Sequence, residues 1–363
     1  MAWSDVIYRL RLPLAICVVF VHFDIYNENL VFYRDVIGQP EWVRLTVRFF
    51  SKVLPIVTVP LFYLFSGFLF FYGKDFNKSI YQQKLLKRVR SLLIPYLLWN
   101  LIAIVKELVT NYNHIEKLNL SWYNIIISFF DIYQHEGIVK RYSFDEAFYP
   151  IDLPLWFVRD LMIVVLFTPV IYWMIQRCKV YSVLCLGFII VLYSTLSPYP
   201  NNGWTGHLLC AFFFFVWGAF YGINRLDFVE VFRKVRWAPF IYVCLLIGDL
   251  FMAPGSIAHN LIHQLQVLFG AIAFVIIASH FKGQTNKWLV LSNSVFYIFA
   301  LHFLIRGPIG IIMESLLSAP SNPVTVLAFY FLTPIVICIV CIALYQITKR
   351  LCPRLCNLLS GGR

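Results

Sequence analysis

Long apolar stretches separated by short polar segments run along the whole chain. Most are close to the roughly 20 residues that a helix needs to cross a bilayer. The pattern predicts ten membrane-spanning helices, at about residues 10–26, 53–72, 91–109, 154–175, 180–196, 206–222, 238–252, 262–280, 289–313 and 324–347. The fifth and seventh stretches are short, and we expect them to be tilted, broken or only partly spanning.

Composition supports a membrane protein. Of the 363 residues, 60% are hydrophobic and 13% are charged, whereas soluble domains average about 45–50% and about 25%. These values exclude a soluble enzyme, a disordered protein and a nucleic-acid-binding module. We therefore predict one all-α, polytopic membrane domain over residues 1–363, with no separate soluble domain and no nucleic-acid partner.

The basic residues predict the topology. Of the 30 Lys and Arg residues, 20 lie in the N-terminus and every second loop after it, and 8 lie on the other side. By the positive-inside rule both termini are cytoplasmic and the segment 110–153 faces outward. Within that segment, residues 122–133 are apolar but too short to span, which predicts an interfacial or re-entrant helix.

Ionisable residues inside a membrane are rare and are often functional. Arg11 and His22 are eleven residues apart, so on one helix they share a face about 16 Å apart along the axis. An arginine at the cytoplasmic end and a deep imidazole suit a ligand with an anionic head and a reactive tail, because histidine exchanges protons near neutral pH. The alternative is an anchoring Arg11 and a hydrogen-bonded, structural His22.

Two further polar groups lie in predicted spans. Trp156 shares a helix face with Arg159 and Asp160, and His302 shares one with Arg306. They are candidates to line a polar cavity. The alternatives are a charge pair at the end of a span and a network of interhelical hydrogen bonds.

Four cations precede the third apolar stretch. Lys84, Lys87, Arg88 and Arg90 occupy seven residues of a predicted cytoplasmic loop and are candidates to bind phosphates. A topology signal or a contact with anionic lipid is the alternative.

The sequence predicts no metal site. His259 and His263 have the i, i+4 spacing of some zinc sites, but no Glu lies between them, so we interpret them as structural. The nine cysteines show no zinc or disulfide pattern. The pair Ser66 and Gly67 is expected to allow close packing of two helices.

The chain resembles the membrane acyltransferase type 3 family. Five segments carry the resemblance in order: RLPLAICVVFVH (11–22), PLFYLFSGFLFF (60–71), KLLKRVRSLLIPYLLW (84–99), LPLWFVRDLM (153–162) and SNSVFYIFALHFL (292–304). The resemblance implies ten helices in the inner membrane and transfer of an acyl group, commonly acetyl, from cytoplasmic acyl-CoA to a sugar of a cell-surface or lipid-linked glycan.

That chemistry assigns roles to the candidate residues. Arg11 and the cations of residues 84–90 would hold the phosphates of acetyl-CoA. His22 would deprotonate the acceptor hydroxyl or take the acyl group itself. Candidates to position the acceptor or to stabilise the thioester oxyanion are Trp156, Arg159, Asp160, His302 and Arg306. A glycan exporter is the main alternative, because it would also have many spans and a charged cavity. A glycan-binding or sensory membrane protein is a third possibility and would tolerate loss of His22.

Overall fold

The computed structural model describes residues 3–23, 38–73, 75–131, 138, 149–196, 204–253, 255–281, 286–317 and 322–362. Every regular element within these ranges is a helix, which confirms the predicted all-α class. The α-helices in these ranges are α1 (Trp3–Val21), α2 (Glu41–Arg48), α3 (Thr58–Phe71), α4 (Lys78–Arg88), α5 (Ile94–Thr110), α6 (Trp122–Ile127), α7 (Trp156–Leu166), α8 (Thr168–Cys178), α9 (Val180–Leu196), α10 (Trp204–Ile223), α11 (Phe228–Arg233), α12 (Ala238–Phe251), α13 (Ile257–His280), α14 (Asn286–Asn293), α15 (Val295–Leu316), α16 (Pro323–Leu351) and α17 (Pro353–Ser360).

Six helical segments in the described part are long and apolar enough to cross a membrane. They are Glu41–Phe71, Lys78–Thr110, Gly206–Ile223, Ile257–His280, Val295–Leu316 and Pro323–Leu351. Leu153–Leu166 and Thr168–Cys178, bent by 61°, make a seventh if they count as one span. Each of the ten predicted stretches overlaps helical segments, although the fourth is divided between α7 and α8 and the ninth between α14 and α15. The protein is a polytopic, all-α membrane protein. The number of spans and their orientation stay predictions.

The structure before the third predicted span differs from the prediction. Residues 84–90 were expected in a loop, but α4, a π-helical turn at Val89–Leu93 and α5 form one helix from Lys78 to Thr110. The loop prediction was wrong because the cations looked like a polar connection, although Lys, Arg, Gln and Leu are all good helix formers. The four cations therefore project from a rigid helix.

The predicted ends of two other helices also shift. The first helix ends at Val21, so His22 follows its last turn, and residues 24–26 of the predicted span lie outside the described residues. The ninth predicted span is broken at Ser294, between α14 and α15. Of the predicted outer segment, α6 is shorter than a span, as expected, and residues 132–137 and 139–148 lie outside the described ranges.

Helices α3 and α10 are in close backbone contact at the centre of the bundle. A Cβ atom on Gly67 would overlap the carbonyl oxygen of Phe215, and one on Gly218 would overlap that of Leu64. Only glycine permits this distance, so the prediction that Gly67 allows close packing is confirmed. Aromatic side chains then fill the space around the pair, with Phe68 and Phe215 fully buried.

Candidate active site

The structure brings His22 together with His302, although the sequence analysis placed them in separate groups. The centroids of the two imidazole rings are 5.3 Å apart, and the ring planes are inclined by 37°. His22 follows the last turn of α1, while His302 lies in the second turn of α15. His22 is half-buried and His302 is 1% exposed, so His22 is the more exposed residue of the pair.

Arg306 fixes the end of α1 against α15. Its Nη1 donates to the backbone carbonyl of His22 over 2.6 Å, and its guanidinium lies 3.9 Å from the centroid of the Phe303 ring. The last carbonyls of a helix carry partial negative charge and lack partners within the helix. A cation is therefore favourable there, and Arg306 sets the position of His22 through its backbone.

The hydrogen bond of His302 defines its tautomer. Nδ1 lies 2.9 Å from the carbonyl oxygen of Ile298, one turn earlier in α15. Because a carbonyl oxygen only accepts, Nδ1 carries the proton and donates. In the neutral ring Nε2 is then an acceptor, and this buried atom has no hydrogen-bond partner among the described residues.

Arg11 lies on α1 as the sequence predicted, and its nearest described contact is local. The guanidinium is 4.9 Å from the centroid of the Tyr8 ring. The Tyr8 carbonyl accepts from the Ser292 hydroxyl over 3.3 Å, which ties this part of α1 to α14. Arg11 is half-buried on α1, the helix that ends just before His22.

Trp156 belongs to an aromatic stack that includes a residue missed by the sequence analysis. The rings of Trp156 and His207 are stacked, with centroids 4.2 Å apart and planes inclined by 24°, and Tyr149 lies 5.9 Å from His207. His207 lies near the start of α10 and is far from Trp156 in the sequence. Its only sequence signal was a histidine at the edge of an apolar stretch, which is too common to be diagnostic.

Arg159 and Asp160 form a buried ion pair. Nε and Nη2 of Arg159 lie 2.9 and 2.8 Å from Oδ1 of Asp160, and Nη1 donates to the Phe130 carbonyl over 2.9 Å. These bonds attach the segment after α6, which contains Phe130, to α7. They favour a role in positioning over direct contact with an oxyanion.

Phe157 connects the two polar groups. Its ring lies 5.5 Å from that of Phe299, which in turn lies 6.5 Å from the His302 ring. The buried Tyr63 hydroxyl also donates to the Phe157 carbonyl over 3.4 Å. The start of α7 is therefore connected to the histidine pair through the ring of Phe299.

An apolar cavity of about 540 Å³ contains two of the predicted functional cations. Arg88 and Arg159 both line it, together with Asp131 and side chains that are mostly apolar. The sequence analysis had assigned Arg88 to phosphate binding and Arg159 to the acceptor. The structure instead places them on one cavity between the π-helical turn, the segment after α6 and α7.

The other three cations of this helix, Lys84, Lys87 and Arg90, do not all point toward the cavity. Lys84 donates to the Phe70 carbonyl at the end of α3, with Nζ 5.0 Å from the Phe70 ring centroid. Lys87 and Arg90 are exposed. Lys84 thus stabilises a helix end, whereas Arg88 is the cation of the four that lines the cavity.

A bundle of apolar helices that joins two histidines and an arginine is the arrangement expected of a membrane-embedded enzyme. The family described as acyltransferase domain (Acyl_transf_3) matches residues 8–345, nearly the whole chain. The chain belongs to this family of membrane acyltransferases, which confirms the resemblance seen in the sequence.

Among curated proteins, the chain is similar to the succinoglycan biosynthesis protein ExoH of Rhizobium meliloti (strain 1021). The two are 23% identical over 365 residues, which cover 98% of this chain and 91% of ExoH. No solved structure gave a significant match to the chain.

Proposed function

We propose that this acyltransferase moves an acyl group, acetyl in the first instance, from cytoplasmic acyl-CoA to a hydroxyl of a cell-surface or lipid-linked glycan. The similarity to a protein named for succinoglycan biosynthesis supports a glycan acceptor. The pairing of His22 with His302, 5.3 Å apart at the end of α1, is the observation that carries the proposal. The inner membrane, with both termini cytoplasmic, is the proposed location.

In the proposed reaction, His22 takes the proton of the acceptor hydroxyl. The oxygen attacks the thioester carbonyl, and the tetrahedral intermediate then breaks its C–S bond. The proton on His22 passes to the leaving thiolate, so the products are the acylated glycan and free coenzyme A. We assign the proton transfer to His22 because it is the more exposed residue of the pair.

His302 and Arg306 position the base in this proposal. Arg306 holds the His22 backbone, and the unprotonated Nε2 of His302 provides an acceptor beside the His22 ring. Trp156, held by His207, and Arg159, held by Asp160, are proposed to position the acceptor. Flat aromatic faces and fixed polar groups suit the faces and hydroxyls of a sugar.

Arg11 and Arg88 are proposed to bind the phosphates of acyl-CoA. Arg88 lines a cavity whose walls are mostly apolar apart from Arg159 and Asp131, which suits an anionic group joined to an uncharged arm. Lys84, Lys87 and Arg90 then contribute mainly through the local positive field.

The test uses the purified protein in lipid nanodiscs with acetyl-CoA and glycan extracted from the parent cells. Release of coenzyme A thiol together with a gain of 42 mass units on the glycan, about the mass of an added acetyl group, is expected for the wild type and not for His22→Ala. An exporter would give neither signal from the wild type, and that result would overturn the proposal.

A further inference from the structure

A second cluster of ionisable residues joins the ends of α12 and α13. Asp249 lies in the last turn of α12, and His259 and His263 lie in the first two turns of α13. The Ser256 hydroxyl accepts from the His259 backbone N–H and so fixes where α13 begins. The i, i+4 spacing then turns both imidazoles toward α12, so the hairpin itself assembles the cluster.

The two histidines approach different oxygens of the same carboxylate. Nε2 of His259 lies 2.8 Å from Oδ1 of Asp249, and Nδ1 of His263 lies 3.0 Å from Oδ2. The rings are stacked with centroids 5.6 Å apart. One ligating atom from each of the three residues lies within 4.8 Å of the others.

These distances suit a small dication. Zinc bonds of about 2.0–2.1 Å at tetrahedral angles place ligand atoms about 3.4 Å apart, which small side-chain rotations would achieve here. Two imidazoles and one carboxylate are also ligands that zinc accepts, with a fourth position for water. The sequence argued against zinc because no acidic residue lies between His259 and His263, whereas in the structure the carboxylate comes from the neighbouring helix α12.

The surroundings of the cluster keep Asp249 in place. The carboxylate is buried, with the residue 1% exposed. Arg48 donates from α2 to the carbonyl oxygens of Asp249 and Met252, both over 2.9 Å. The cation is therefore bound to backbone carbonyls at the end of α12, where the helix dipole favours it.

We propose that Asp249, His259 and His263 bind a zinc ion that fastens α12 to α13. The ion would replace the direct hydrogen bonds of the carboxylate with coordination bonds to three side chains. This site uses different helices from the His22–His302 pair, and its role is to hold the hairpin together. The zinc site and the proposed acyl transfer are therefore tested independently of each other.

The experiment uses the full chain in nanodiscs, purified through a tag without histidine, treated with chelator and then dialysed against zinc chloride. Metal analysis is expected to find about one zinc per chain, with the thermal midpoint rising as zinc is added. Asp249→Asn and His263→Gln should weaken zinc binding by more than about 100-fold. His280→Gln, at the other end of α13, is the matched control and should bind as the wild type does.

Cobalt provides a measurement that does not depend on a folded variant. Co²⁺ added to the chelator-treated wild type should give the visible absorption of a four-coordinate site, and zinc should abolish it. A wild type that retains no zinc and shows no cobalt spectrum would overturn the proposal. The cluster would then be a hydrogen-bonded network of Asp249 with two histidines.

Discussion

The imidazole rings of His22 and His302 face each other at 5.3 Å, from the end of the first helix and the second turn of α15. Neither helix alone provides two imidazole rings in contact. Substitution of His22 is therefore the most informative, because its partner His302 is buried. Arg306 also holds the backbone of His22 in place.

His22→Ala is expected to lower acyl transfer by about 10²–10⁴-fold, the usual contribution of a general base. His22→Gln should not restore activity, because an amide forms hydrogen bonds but does not accept and release a proton in turn. The measurement is the rate of thiol release by purified variants that elute as folded protein. The exposed His114 gives the control, His114→Gln, which should retain wild-type activity.

Near-wild-type turnover in His22→Gln would contradict the assignment of His22. The assignment would then pass to His302, whose Nε2 is already an unprotonated acceptor in the neutral ring. If His22 is the base, His302→Gln should cause a smaller loss than His22→Ala.

Arg306 should act by positioning. Arg306→Ala removes the charge-assisted hydrogen bond to the His22 carbonyl, which is worth about 1.5–3 kcal/mol, so kcat should fall by about 10–100-fold with little change in KM for acyl-CoA. Added guanidinium should restore part of the rate, and Arg306→Lys should fall between the wild type and Arg306→Ala. An unchanged kcat in Arg306→Ala would show that the contact does not govern the position of His22.

Coenzyme A binding should depend more on Arg88 than on Arg90, because Arg88 lines the cavity whereas Arg90 is exposed. Arg88→Ala is expected to raise the Kd for radiolabelled coenzyme A more than Arg90→Ala, and wild-type binding should weaken with salt. Arg44→Ala, on the predicted outer side, is the control. A Lys87→Ala, Arg88→Ala, Arg90→Ala variant with unchanged binding would show that the phosphates bind elsewhere.

Topology is tested by single cysteines in a cysteine-free background. Glu116→Cys, in the predicted outer segment, should react with a membrane-impermeant maleimide in intact cells, and Lys234→Cys should react only after the cells are opened. Lys234 is exposed, so absence of labelling in intact cells reports its side of the membrane. The reverse pattern would contradict cytoplasmic termini.

The contact of α3 with α10 predicts a sharp difference between two glycines. A Cβ at Gly67 meets the Phe215 carbonyl, whereas one at Gly307 meets no atom within 4 Å. Gly67→Ala should therefore destabilise the folded protein by about 1–3 kcal/mol and lower its thermal midpoint in detergent. Gly307→Ala, the control within a helix, should leave the midpoint unchanged or raise it, since alanine favours a helix. Equal midpoints would show that the helices separate at little cost.

The sequence predicted helices well because lipid imposes a length and a composition on each one. It also identified Arg11, His22, His302 and Arg306 as unusual, since charge is costly in a membrane. It did not predict that His22 and His302 pair, because the pattern of apolar stretches shows where helices lie along the chain and not which of them are neighbours. His207 and Asp249 were missed for the same reason, as each gains its meaning only from a partner on another helix.

The π-helical turn at Val89–Leu93 has an evolutionary consequence. Such a turn holds one residue more than an α-helix needs, so it is equivalent to a single-residue insertion. Deleting that residue would rotate α4 by about 100° relative to α5. Arg88 would turn away from the cavity, while Trp99, buried in α5, would keep its place. The gain or loss of one codon here is therefore enough to change the direction of the cations without disturbing the membrane core. Alignments of homologous chains should allow a gap at this position.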